Sequence, residues 1–116
     1  MITDKLKNLL AAELKNLVNA GNGKVGLGGN STFASQNDLD VVLVATDTPT
    51  ATQSDSNVVQ IKLSVSGATA AMTGQVLREV GVFDTNSNML FRQNFDGIGP
   101  FSSNDTVEFF ITLEVE

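Results

Sequence analysis

Apolar and polar residues alternate with a period of two along four stretches of this chain. The clearest is 58–66, where Val59, Ile61, Leu63 and Val65 fall on one face and Gln60, Lys62, Ser64 and Ser66 on the other. The same rhythm runs through 106–115. Val107, Phe109, Ile111, Leu113 and Val115 face one way, Glu108, Thr112 and Glu114 the other, and Phe110 is the apolar exception. Residues 76–83 and 89–95 are two further alternating runs. They are joined by Asp84-Thr85-Asn86-Ser87-Asn88, whose short polar side chains bond their own backbone and tolerate left-handed conformations. The pattern predicts a hairpin centred between Asn86 and Ser87. Its core face is Val80, Val82, Met89 and Phe91, and Gly81 stands opposite Arg92. In that register Gly81 leaves room for the Arg92 stem, and the guanidinium reaches towards Glu79 as a cross-strand pair. The alternative is that Glu79 and Arg92 bind a partner subunit.

Near the N-terminus the period changes. Over 3–19, Leu6, Leu10, Leu14 and Leu17/Val18 form an i, i+4 row with Leu9 beside it, which predicts an amphipathic helix. Thr3 caps it, Asp4 lies in its first turn, and Gly21-Asn22-Gly23 ends it. A leucine-rich helix this short needs something to pack on, either its own sheet or copies of itself. The run 39–45 reads as an extended, largely buried strand. Val25 and Leu27 mark a short strand inside the Gly/Ser/Asn-rich stretch 21–37. Residues 46–57 and 97–105 read as loops, and 67–74 is a stretch of small residues rich in Gly, Ala and Thr. One helix followed by strands of period two predicts a mainly β fold. The expected architecture is an antiparallel β-sandwich or half-barrel of five to seven strands with one N-terminal amphipathic α-helix. The helix (1–20) and the sandwich (21–116) together form a single domain.

Composition narrows the chemistry. The chain has 116 residues, which sets one domain as the expectation, and neither His nor Cys. The commonest general base, the strongest neutral-pH nucleophile and the usual zinc ligands are therefore absent, and no enzymatic role, cofactor or metal is expected. No apolar run approaches the ~18 residues of a membrane span. Asp4, Asn8 and Glu13 interrupt the leucines of the N-terminus, unlike a secretory signal. The net charge is −6, with the lysines Lys5, Lys7, Lys15 and Lys24 concentrated at the N-terminal end. The acidic remainder should be repelled by phosphate backbones, so no nucleic acid is expected as a partner. Gly21-Asn22-Gly23-Lys24-Val25-Gly26 has the letters of a dinucleotide fingerprint but lacks the preceding strand and following helix that fingerprint needs. The Asp84 turn begins like a calcium loop but has Met89 and Phe95 where an EF-hand needs Gly and Glu. Asp38 and Asp40 read as solvated edge charges. Of Phe109 and Phe110 one belongs to the core; the other is either covered by the helix or exposed as a contact patch.

The order of features resembles tail proteins of tailed phages and archaeal viruses, of the tail-collar-fibre and baseplate-associated type. The resemblance rests on Val25-Gly26-Leu27-Gly28-Gly29, Thr32 to Leu39, and the alternating run Val59–Val65. It continues through Arg78-Glu79-Val80-Gly81-Val82-Phe83-Asp84, Met89-Leu90-Phe91-Arg92-Gln93-Asn94-Phe95 and Val107–Val115. It implies a virion structural protein of the tail or neck region, made in the host cytoplasm. Such a protein has no catalytic site and acts through contacts with copies of itself, a trimer foremost, and with other tail, neck or fibre proteins. The chain stops at Glu116 without a long shaft, which favours a collar, neck, baseplate or fibre-adaptor component over a receptor-binding fibre. The candidate interface or motif residues are Leu6, Leu10, Leu14, Leu17, Glu79, Gly81, Phe83, Arg92 and Phe110. The competing expectation is a small acidic β-sandwich that binds a ligand or carbohydrate.

Overall fold

The computed structural model describes residues 1–28, 38–69 and 71–116. Helix α1 (Asp4–Ala20) is followed by seven strands: β1 (Asn22–Gly26), β2 (Val42–Ala45), β3 (Thr50–Asp55), β4 (Val58–Ser66), β5 (Leu77–Phe83), β6 (Met89–Ile98) and β7 (Thr106–Glu114). They form two antiparallel sheets, one ordered β2-β1-β5-β6 and the other β3-β4-β7. This is a mainly β protein with two stacked antiparallel sheets and one N-terminal helix.

The alternating runs build the core. Val25, Leu77, Val80 and Val82 of the first sheet and Val59, Ile61, Leu63 and Val65 of the second are essentially buried. Each such side chain contributes about 1.5–3 kcal/mol on removal from water, the main term set against the entropy of ordering the chain. Phe95 of β6 meets Phe109 of β7 across the layers with ring centroids 5.6 Å apart.

Thr3 caps α1 by accepting the Leu6 N–H at 3.2 Å, and the Gly21 N–H closes the other end on Val18 O. The helix lies against β3 and β4. The face it buries differs from the leucine row that the sequence suggests. Ala11 and Val18 are fully buried and Leu14 packs half-buried beside them. Leu6, Leu9 and Leu10 remain exposed, and Leu17 is half-buried. The apolar arc of the helix is wider than the surface the sheet offers, so the small Ala11 sits at the centre of the contact and part of the leucine row is left over.

Three other expectations are corrected. The strand expected over 39–45 covers only Val42–Ala45, and Leu39 is buried as part of a non-strand segment. Residues 46–57 contain β3, whose Thr/Ser/Asp composition hides an edge strand with only Ala51 buried. The hairpin has Gly81 opposite Arg92 and Val82 opposite Phe91, as expected, but its register shifts next to Phe83. Met89 therefore stands opposite Phe83 rather than in the core column, and Leu90 is the additional residue that packs inward with Phe91.

Candidate functional site

The outer face of the first sheet carries the densest polar constellation among the described residues. Lys24, Glu79, Gly81, Phe83 and Arg92 share this face, because Lys24 pairs with Gly81 across β1–β5 and Gly81 with Arg92 across β5–β6. The segment 38–41 returns over it.

Glu79 is 0% exposed, an expensive position for a carboxylate unless every lone pair finds a donor. It does. Oε2 accepts the N–H of Gly28 at 2.7 Å and of Val41 at 3.0 Å, and Oε1 accepts the N–H of Asp40 at 2.7 Å. Arg92 Nη2 lies 3.1 Å from the same Oε1 and 3.1 Å from Asp40 Oδ2. Arg92 Nη1 donates to Asp38 O at 2.8 Å and Nε to Asn94 Oδ1 at 3.2 Å. Lys24 Nζ reaches Asp38 Oδ1 at 3.7 Å and stands 4.5 Å above the Phe83 ring. Charge-assisted bonds of this kind are about twice as strong as neutral ones. The arrangement is a clamp: one buried carboxylate and one guanidinium fasten the chain around residues 28 and 38–41 onto the sheet.

The cross-strand pair of Glu79 and Arg92 is therefore present and interior, with the Arg92 side chain only 8% exposed. The side chains nearest the space above Gly81 are Leu39 and Phe83. A Cβ there would come within 3.1 Å of Leu39 Cδ2 and of Phe83 Cε1. Phe83, a candidate contact residue from sequence, is 1% exposed and forms a small second core with Leu39. Asp38 and Asp40, expected as solvated edge charges, do keep solvent contact, and they are in addition ion-paired to Lys24 and Arg92. Sequence reasoning missed the amide donors of Gly28, Asp40 and Val41. One signal was available: Gly26 and Gly28 stand two apart, and a Cβ on either would run into the Glu79 carboxylate. Gly29 and the Thr32–Asn37 part of the resemblance lie outside the described residues.

At the hairpin turn, Asp84 Oδ1 accepts the N–H of Asn86 and of Asn88, each at 2.9 Å, and Oδ2 accepts Asn88 Nδ2 at 3.0 Å. The Asn88 side chain and backbone bonds, with that of Asn86, hold the Asp84 carboxyl below its ordinary pKa, and partial desolvation opposes them only in part. These bonds direct the carboxylate at its own turn. Among the described residues no group of three acidic side chains is placed to hold a metal ion.

The remaining candidates form surface. Leu6 and Leu10 are exposed on α1 beside Leu9; Leu14 and Leu17 are not. Phe110 is 72% exposed on the outer face of the second sheet, with Lys62 Nζ 5.8 Å from its ring centroid. It walls an open groove of about 320 Å³ lined by Thr50, Thr52, Gln60, Lys62 and Thr112. No residue of β6 or β7 is fully buried, and Leu90, Phe91, Phe95, Val107, Phe109, Ile111 and Leu113 line a half-buried seam where these two strands end their sheets. Comparison with protein-family models, curated proteins and solved structures finds no match to this chain.

Proposed function

We propose that this chain is a structural subunit that works by protein–protein contact in a symmetric assembly of its own copies. The observation that carries the reading is the half-buried apolar seam at β6 and β7 together with exposed Phe110, Leu6, Leu9 and Leu10. Apolar surface in contiguous patches marks interaction sites. The buried charges, by contrast, are engaged in fastening the chain to itself. Joined to the resemblance in the Glu79–Asp84 and Met89–Phe95 motifs, this favours a virion component of a tailed virus at the collar, neck, baseplate or fibre adaptor. Labelling purified virus particles with an antibody against the chain tests the placement. Density at the tail supports it, and unlabelled particles from a host that makes the protein contradict it.

The groove beside Phe110 favours a second reading, a ligand-binding module, since threonine hydroxyls, an amide and an ammonium converge on one aromatic wall. Chemical-shift changes confined to Thr50, Lys62 and Thr112 on titration with an oligosaccharide would support that reading; their absence would exclude it.

A further inference from the structure

Each sheet has two outer strands, and three of the four are protected against pairing with another chain. Strand β2 is only four residues long, and its pairing with β1 shifts register next to Gly26. Strand β6 carries two register shifts against β5. Strand β3 shifts register near Gln53, and α1 covers it. There the side chain of Asn19 accepts the Ala51 N–H at 2.7 Å and donates to Ala51 O at 3.0 Å, taking the place a neighbouring strand would occupy. Short length, bulges and a covering element are among the devices by which sheet edges are closed.

Among the described residues strand β7 has none of them. It is nine residues long, lacks proline, and pairs with β4 from Thr106 to Glu114 without a shift. The direction of its free groups follows from its two ends. Val115 donates its N–H to Asn57 O, and Asp105 O accepts from Gly67 on the β4 side. With a period of two between these fixed points, the peptide groups of Val107, Phe109, Ile111 and Leu113 point at β4. Those of Thr106, Glu108, Phe110, Thr112 and Glu114 point out of the sheet.

We infer that β7 pairs antiparallel with β7 of a second copy about a two-fold axis through Phe110, continuing the three-stranded sheet across the interface. This inference rests on the assembly reading above and specifies its contact. The sequence of the strand selects the register. Centring on Phe110 overlaps the whole strand and sets Phe110 against Phe110, Glu108 against Thr112 and Thr106 against Glu114 of the second copy. Inward, Val107 meets Leu113 and Phe109 meets Ile111, which covers side chains left half-buried in the single chain. Centring on Ile111 would set Glu108 against Glu114, and centring on Glu108 would set it against itself; like charges directly opposite destabilise a strand pair. Two-fold contacts of this kind are self-complementary by construction. A strand pair alone is small beside the roughly 800 Å² per partner of a standard interface. The apolar seam of β6 and β7 lies on the same side and extends it.

The chain has no native cysteine, so single cysteines at 106, 108, 112 and 114 take a spin label uniquely. Electron paramagnetic resonance on the full chain then reads the distances between copies. The expected result is symmetry about 110: equal separations of about 14 Å for labels at 108 and 112, and equal separations of about 28 Å for 106 and 114, from the ~3.4 Å rise per residue and the ~4.8 Å between strands. All should vanish on dilution with unlabelled protein. Inter-copy distances without this symmetry, or a mass corresponding to three copies, would overturn the β7 contact and leave the assembly reading intact. A single-chain mass at every concentration would overturn both.

Discussion

A buried carboxylate is tolerated at Glu79 because three backbone amides and one guanidinium converge on it. Replacing it with alanine leaves the amides of Gly28, Asp40 and Val41 without their acceptor and Arg92 without its innermost one. Breaking a buried pair from one side costs about 3–5 kcal/mol. Glu79→Ala is therefore expected to lower the unfolding free energy by that amount in urea titrations, with the first losses of amide protection around Val41. Asp84 behaves differently, since its bonds stay within the turn. Its folded pKa is lowered, so the stability it contributes is fully present above the ordinary aspartate range, about pH 4, and is lost as pH falls through the folded value. Melting curves of Asp84→Asn against the parent should differ above about pH 4 and converge on further acidification. Curves that stay parallel throughout would contradict the turn geometry.

At the scale of elements, what the sequence makes legible follows from how many faces each element buries. Strands β4 and β7 show clean alternation because each has one face in the core, and their bounds were readable within a residue. Strand β3 was not, because as a covered edge it buries only Ala51 and otherwise has the Thr/Ser/Asp composition of a loop. Residues 39–41 read as the start of the 39–45 strand because Leu39 and Val41–Val44 stand in one largely apolar run, whereas the structure begins β2 only at Val42 and holds 38–41 in the clamp. The Glu79–Arg92 pairing was readable from the hairpin register. Its amide donors were not, since backbone N–H groups have no signature in sequence beyond Gly26 and Gly28. The helix shows the same limit: a row of leucines specifies an apolar face but not which part of it the sheet takes. The structure separates two substitutions that the sequence would treat alike. Leu14→Asp places an unpaired carboxylate against the core and should cost several kcal/mol, roughly the 2–5 of a severe core change. Leu10→Asp, at a position 45% exposed, should change the unfolding free energy of the chain by only about 0.5 kcal/mol. Chemical denaturation of the two variants side by side checks the docking face directly.

At the scale of the molecule, the net charge of −6 keeps separate copies soluble and weakly repelling. Association must therefore come from local contacts strong enough to overcome it, and screening by salt should favour the associated state. In the proposed assembly the candidate contacts are the half-buried apolar residues where β6 and β7 end their sheets and the exposed leucines of α1. The proposed role is that of an assembling structural subunit. Sedimentation equilibrium over a wide range of protein concentration tests it most directly. The mass should rise to a defined integral multiple of the 12.3 kDa chain, at lower concentration as salt is added. A constant mass of 12.3 kDa up to the highest concentration, with and without salt, would contradict it.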